Sequence, residues 1–227
     1  MYFWRGLSVL AVLVVLYQLW IFLHICFWMF QNPSSTEFMR DRLVEMRKEK
    51  LNAEIKYQWV EYDQISNHLK RAVIAAEDAK FSEHDGFDWD GIQKAYEKNL
   101  KKGKLVAGGS TISQQLAKNL FLSSQRTPWR KAQEAVITVM LETMMSKRRI
   151  LEIYLNMIEW GDVVFGAEAA AQHYYGVSAK RLSSYQAAKM AAMIPNPRFY
   201  DKHRSTRFLN RKTATIQARM VQVAVPK

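Results

Sequence analysis

Ile65-Ser66-Asn67-His68-Leu69-Lys70-Arg71-Ala72-Val73-Ile74-Ala75-Ala76-Glu77-Asp78-Ala79-Lys80-Phe81-Ser82-Glu83-His84-Asp85-Gly86 passes from an apolar helical pattern into a crowd of acids. Ile65, Leu69, Val73 and Ala76 recur at steps of three and four, the spacing of one helical face. Asn67 is the expected N-cap. Glu77 and Asp78 then fall at the C-terminal end, where the backbone dipole disfavours negative charge. An acid placed there holds its proton more tightly, which suits acid–base work near neutral pH. The plainer alternative for the same residues is a polar turn leaving a helix, with Phe81 as its core anchor.

Downstream the helical pattern continues. Asp90 is expected to cap a helix carrying Ile92, Tyr96, Asn99 and Leu100, followed by a flexible loop, Leu105 to Gly109. Ser110 is expected to cap the next helix, with Ile112, Leu116 and Leu120 on one face and Thr111, Gln114, Gln115 and Lys118 on another. Thr127 caps and Pro128 starts a long helix whose expected inward face is Ala132, Ala135, Val136, Val139 and Met140. Ser146 caps a helix with Ile150, Leu151, Tyr154, Leu155 and Ile158 inward. Ala167 to Tyr175 is closed by Gly176, another helix starts at Ser184 and stops at Pro195-Asn196-Pro197, and a basic last helix covers Arg207 to Val223. No segment shows sheet alternation, so the class is mainly α, with room for a strand or two in short aromatic pieces such as Tyr57 to Tyr62.

Upstream, Leu7 to Phe30 is 24 residues without Asp, Glu, Lys or Arg. A helix of that length crosses a hydrocarbon core of roughly 30 Å. Trp4 and Trp28 sit near its ends, as interfacial anchors do. The bulky Phe27-Trp28-Met29-Phe30 is unlike a signal-peptide cleavage site, so an uncleaved anchor is expected. The net charge is +12, and residues 1–32 contribute only Arg5 to it. The remainder therefore favours an anionic partner: nucleic acid, lipid headgroups or a phosphorylated substrate. Arg40, Arg42, Arg47, Lys48 and Lys50 follow the span, and counted by the positive-inside rule they would hold the large domain in the cytoplasm. The single cysteine, Cys26, excludes an intramolecular disulfide and a cysteine zinc site.

Several constellations carry chemistry. Gly108-Gly109-Ser110-Thr111 before a helix offers backbone N–H groups and hydroxyls to a phosphate, but lacks the ending of a nucleotide P-loop. Lys118, Arg126, Arg130 and Lys131 follow closely, and clustered cations bind diphosphates well. A simple cap and a solvated basic surface are the plainer readings. Glu134, in the first turns of its helix, is expected to stay ionised and is the better cation or metal partner of the two acids. With Glu77 it could divide base and stabiliser roles, as acid pairs do in sugar chemistry. His84 has no partner at ligand spacing and reads as structural. Trp89, Tyr96, Trp129 and Trp160 are core residues by default, with sugar stacking or lipid contact as the alternative.

Five segments in order carry a resemblance. They are Glu77-Asp-x-x-Phe81-x-x-His84-x-Gly86; Gly108-Gly-Ser-Thr-Ile-Ser-Gln-Gln115 continuing to Lys118-Asn119; Arg130-Lys131-x-x-Glu134; Lys147-x-x-Ile150-Leu-Glu152-x-Tyr154-Leu-Asn156; and Ala187-Ala188 through Pro195-Asn196-Pro197. From about Trp59 to Tyr200 the chain resembles the peptidoglycan glycosyltransferases of family 51, specifically the monofunctional biosynthetic peptidoglycan transglycosylases. Ser113 stands where that pattern usually has Thr, and a hydroxyl remains. The resemblance implies a lysozyme-like helical glycosyltransferase domain (57–227) behind a cytoplasmic tip and single N-terminal transmembrane helix (1–32) and a charged juxtamembrane linker (33–56), with no transpeptidase domain.

The resemblance also implies elongation of glycan strands from lipid II, with β-1,4 bonds formed by inversion and undecaprenyl diphosphate released. Glu77 would be the general base on the acceptor 4-hydroxyl. Glu134 would assist the diphosphate side, directly or through a divalent cation (Mg or Mn), or orient the acceptor; no organic cofactor is expected. Lys118 and Arg126 would bind diphosphate. Ser110, Thr111, Gln114 and Gln115 would line the donor groove, with Arg130, Lys131, Lys147 and Glu152 as its further lining. Expected partners are lipid II, lipid-linked glycan, the bilayer and other cell-wall synthesis and division proteins. Against the charge count, the implied location is the bacterial inner membrane with a periplasmic domain. The Trp89 to Val106 region is the candidate for a second membrane contact. The rival readings are a lysozyme-like glycan-cleaving enzyme and a non-catalytic cell-wall binding protein. No nucleic-acid-binding motif is recognised.

Overall fold

The computed structural model describes residues 2–104, 108–123, 125 and 127–227, with side chains from Trp4 onward. The described residues form α1 (Tyr2–Trp28), α2 (Glu37–Glu49), β1 (Lys56–Tyr57), α3 (Asn67–Glu77), α4 (Trp89–Lys102), α5 (Ile112–Phe121), α6 (Pro128–Met144), α7 (Lys147–Met157), β2 (Glu159–Gly161), β3 (Val164–Phe165), α8 (Ala167–Tyr175), α9 (Ser184–Met193), α10 (Pro197–Lys202) and α11 (Arg207–Arg219). The mainly helical class expected from the sequence is what the chain adopts. Its few strands make one three-stranded sheet, ordered β1-β3-β2, with β1 parallel and β2 antiparallel to β3. At two or three residues each, they are too short to show alternation.

The core is built around α7, whose residues Ile150 to Met157 are all buried. α5 packs on α6 and α7, while α3 packs on α9 and α11. The small side chains Ala187, Ala188, Ala191 and Ala192 of α9 let its neighbours approach closely. Thr127 and Ser146 cap α6 and α7 as expected. Three caps differ. Ser66 caps α3, accepting from the His68 N–H at 3.1 Å. Asp88 caps α4, accepting from the Gly91 N–H at 3.0 Å. Thr111 caps α5 in a reciprocal box with Gln114. In each case the capping residue precedes the first helical turn and keeps non-helical backbone, so Asn67 and Asp90 fall inside their helices.

The face of α6 also differs from expectation. Gln133, Glu134, Ile137, Thr138 and Leu141 point inward. Val136 and Val139 are 42% and 53% exposed, and Ala132 is exposed too. The expected face left out Ile137 and Leu141 and failed because α6 buries polar side chains beside them, toward a cleft and α1.

The charged segment after the span is a helix built into the body. Met39 and Arg42 of α2 are buried. The Arg42 guanidinium pairs with Glu159 at 2.9 Å, Asp162 at 3.1 Å and Glu45. α1 is long and apolar enough to cross a membrane from Trp4 to Trp28. Trp89, Tyr96 and Leu100 are exposed on one face of α4. Leu105 and Val106, the end of the expected second membrane contact, lie outside the described residues.

Candidate active site

Glu77 closes α3 and is half-buried. The Gln115 side-chain N–H donates to its Oε2 at 2.9 Å. The Tyr154 hydroxyl donates to the Gln115 carbonyl oxygen at 3.0 Å, which fixes which end of that amide faces Glu77. Burial pushes the Glu77 carboxyl above the ordinary glutamate range. The Gln115 hydrogen bond and the charges of Lys212 and Lys118 oppose that rise, and the Asp78 charge adds to it. The direction is the one expected from the helix end, but its chief cause is loss of water. Fully buried Tyr154 is held well above its usual range, so it remains a hydroxyl donor.

The turn after Glu77 is pinned from several sides. Asp78 is buried; one oxygen meets His84 Nε2 at 2.9 Å and the other accepts from the Ile112 N–H at 3.0 Å. His84 Nδ1 accepts from the Gly86 N–H at 3.2 Å, so Nε2 carries the proton toward Asp78. Gly86 adopts φ +91°, and its carbonyl accepts from the Thr111 hydroxyl at 2.7 Å. A Cβ there would lie 2.7 Å from Thr138 Cγ2. Phe81 is fully buried beneath the turn, the anchor its position suggested.

Two pockets meet at this point. A cleft of about 580 Å³ is lined by Ser110, Gln115, Lys118, Asn119, Arg130, Lys131, Glu134 and Glu159, with Phe38 of α2 and the Ile194 to Arg198 segment on other walls. A smaller one, about 190 Å³, is lined by Ala75 to Ala79, including Glu77, and by Gly108 to Thr111. Ser110 lines both, and Gln115 reaches from the first to the carboxylate in the second. Glu134 is buried and held by its own helix: Arg130 Nη1 at 2.9 Å on one oxygen and Lys131 on the other. The Arg130 Nε is buried with no partner among the described residues.

Of the residues expected in the site, Ser110, Gln115, Lys118, Arg130, Lys131 and Glu134 share the cleft. Thr111 lines the smaller pocket, and Gln114 is engaged in the α5 capping box. Arg126 lies outside the described residues. Lys147 and Glu152, also expected in the site, line neither of these two pockets. The Lys147 ammonium binds Glu142 at 2.7 Å and the His84 carbonyl, beneath the turn. Glu152 is buried, accepting from the Tyr62 N–H at 2.6 Å and pairing with Arg149 at 2.6 Å. Both hold the frame of the site. Among the described residues no three His, Cys, Asp or Glu side chains gather as a metal site. Glu134, with both oxygens engaged by cations, does not fit as a resident metal ligand.

Residues 44–221 match the family model described as Transglycosylase. The chain belongs to the transglycosylase family. This transglycosylase is 69% identical over 224 residues to a protein of Methylobacillus flagellatus, covering 99% of this chain and 98% of that one. It is 64% identical over 222 residues to one of Laribacter hongkongensis (98% and 97%) and 62% identical over 225 to one of Nitrosospira multiformis (99% and 98%). All three relatives are named biosynthetic peptidoglycan transglycosylase.

Sequence reasoning missed Tyr154 as a site residue, because its helical position reads only as core. It also missed Lys212. That lysine shares the face of α11 that carries buried Leu209, Thr213 and Ile216. α11 packs on α3, and the Lys212 charge acts on Glu77. Glu159 and Arg198, placed at the cleft by β2 and α10, had no motif to mark them.

Proposed function

We propose that this transglycosylase polymerises glycan strands from lipid II, anchored by α1 in the bacterial inner membrane with its domain in the periplasm. The growing strand's lipid diphosphate lies in the basic cleft, where Lys118, Arg130 and Lys131 neutralise its charge. The acceptor sugar enters from the smaller pocket. Glu77 takes the proton from its 4-hydroxyl as that oxygen attacks the donor's anomeric carbon. The bond from that carbon to the phosphate oxygen breaks, the configuration inverts to β, and undecaprenyl diphosphate leaves with the electron pair. Glu134 acts by holding Arg130 and Lys131 against the diphosphate. Any divalent cation arrives with the diphosphate, and no step here depends on one.

The observation that carries this reading is a single one. A carboxylate with a raised proton affinity sits where a basic cleft meets a second pocket, oriented by Gln115. A base tuned upward is matched to a hydroxyl near neutral pH. The protein in lipid vesicles with labelled lipid II should yield long, lysozyme-sensitive strands, and Glu77→Gln should make them at least about 100-fold more slowly. Shortening of preformed glycan without polymerisation would overturn the reading in favour of a cleaving enzyme.

A further inference from the structure

The anchor helix has two unlike halves. From Trp4 to Tyr17 its residues are exposed. From Gln18 onward one face closes against it: Gln18, Ile21 and Ile25 follow at steps of three and four, and both isoleucines are fully buried. Trp20 and Trp28 pack on Phe121, the last residue of α5, with ring centroids 6.2 and 5.2 Å apart. Arg149 fastens the exit, donating to the Trp28 carbonyl at 3.0 Å and the Gln31 carbonyl at 2.8 Å.

Length gives this docking a consequence. The exposed half, 14 residues from Trp4 to Tyr17, extends about 21 Å at 1.5 Å per residue. A hydrocarbon core is roughly 30 Å thick. The first turns of the docked half therefore lie within the bilayer, and Gln18 is among them. An amide there requires a protein partner. It has one: Gln18 Nε2 donates to Gln133 Oε1 at 2.8 Å, while its own carbonyl oxygen is buried without a partner among the described residues. Gln133 is itself buried and immediately precedes Glu134 on α6. The stripe Trp129, Val136 and Val139, exposed beside this contact on α6, then meets acyl chains.

We propose that the Gln18–Gln133 amide pair is a positioning clamp that fixes the depth and rotation of α6 against the anchor. It thereby sets Glu134 and Arg130 at the level of a lipid-borne diphosphate. The proposal rests on the functional reading above for its substrate. Neither glutamine is assigned a contact with the reacting atoms, so both act through Glu134 and Arg130.

The test is a double-mutant cycle on the full chain in phosphatidylethanolamine–phosphatidylglycerol vesicles. The variants are Gln18→Leu, Gln133→Leu and the pair, assayed for kcat and KM with lipid II and for hydrogen exchange along α6. Each single change should lower kcat about 3- to 15-fold, the factor to which the energy of an intramembrane hydrogen bond converts, with KM within about twofold, the pattern of a lost transition-state interaction. The double variant should be no slower than the slower single. Exchange should quicken in α6 while α7 stays protected. Effects that multiply, or singles with unchanged kcat and unchanged α6 exchange, would overturn the clamp. Wild type that made no polymer would overturn the functional reading instead, and non-additive α6 exchange would still support the clamp.

Discussion

Glu77 is a carboxylate asked to accept a proton while partly shut away from water, and that demand costs stability. An unfolded glutamate titrates near 4.5, and the folded value lies above it. Below the unfolded value both states are protonated and there is no penalty. As pH rises through the folded value the buried charge forms and the penalty becomes complete. Glu77→Gln should therefore raise the thermal midpoint at neutral pH, with no gain near pH 4. Its turnover should fall about 10²- to 10⁴-fold. Calorimetry at the two pH values checks the first part and lipid II polymerisation the second. Lys212 provides a second handle. Its charge favours the ionised carboxylate, so Lys212→Met should move the acid limb of the kcat/KM profile to higher pH; an unmoved limb would remove Lys212 from the site. The direction of the Glu77 shift could be read from its place at a helix end. Tyr154 and Lys212 could not, since their roles depend on which helices become neighbours.

At the scale of elements, the turn between α3 and α4 and the docking of α2 decide whether the site is assembled. Gly86 combines φ +91° with close packing against Thr138, so Gly86→Ala should destabilise the domain by about 1–3 kcal/mol, measurable by chemical denaturation. α2 is held by Arg42 and Glu159, both buried. Arg42→Met should cost about 3–5 kcal/mol, because Glu159 is left as an unpaired buried charge. Adding Glu159→Gln should recover part of that loss. Most helices were legible from their periodicity. The inward face of α6 was not, because its buried Gln133 and Glu134 look like surface residues until α1 and the cleft are placed around them. The strands were hidden by their brevity. The caps of α3, α4 and α5 were misassigned by one or two residues, since several neighbouring side chains were capable of capping.

At the scale of the whole molecule, an apolar helix long enough to cross a membrane, a helical domain docked on its end and a basic cleft with two acids form one unit. Much of the site was legible in four of the motifs, because loop, cations and acids are local in sequence. What they could not show is that Lys147 and Glu152 hold the frame, or that the anchor is packed against the helix bearing Glu134. Those relations depend on contacts between segments far apart in the chain. The orientation follows from the proposed substrate side, against the charge count. Protease added outside spheroplasts should therefore digest the domain while leaving a protected fragment at the N-terminus. The most direct measurement of the central claim is a crystal structure of the Glu77→Gln variant with lipid II and a lipid-linked glycan donor bound. The acceptor 4-hydroxyl should lie within about 2.6–3.2 Å of the side chain at position 77, with the diphosphate against Lys118 and Arg130. An acceptor hydroxyl facing Glu134 instead, with position 77 out of reach, would contradict it.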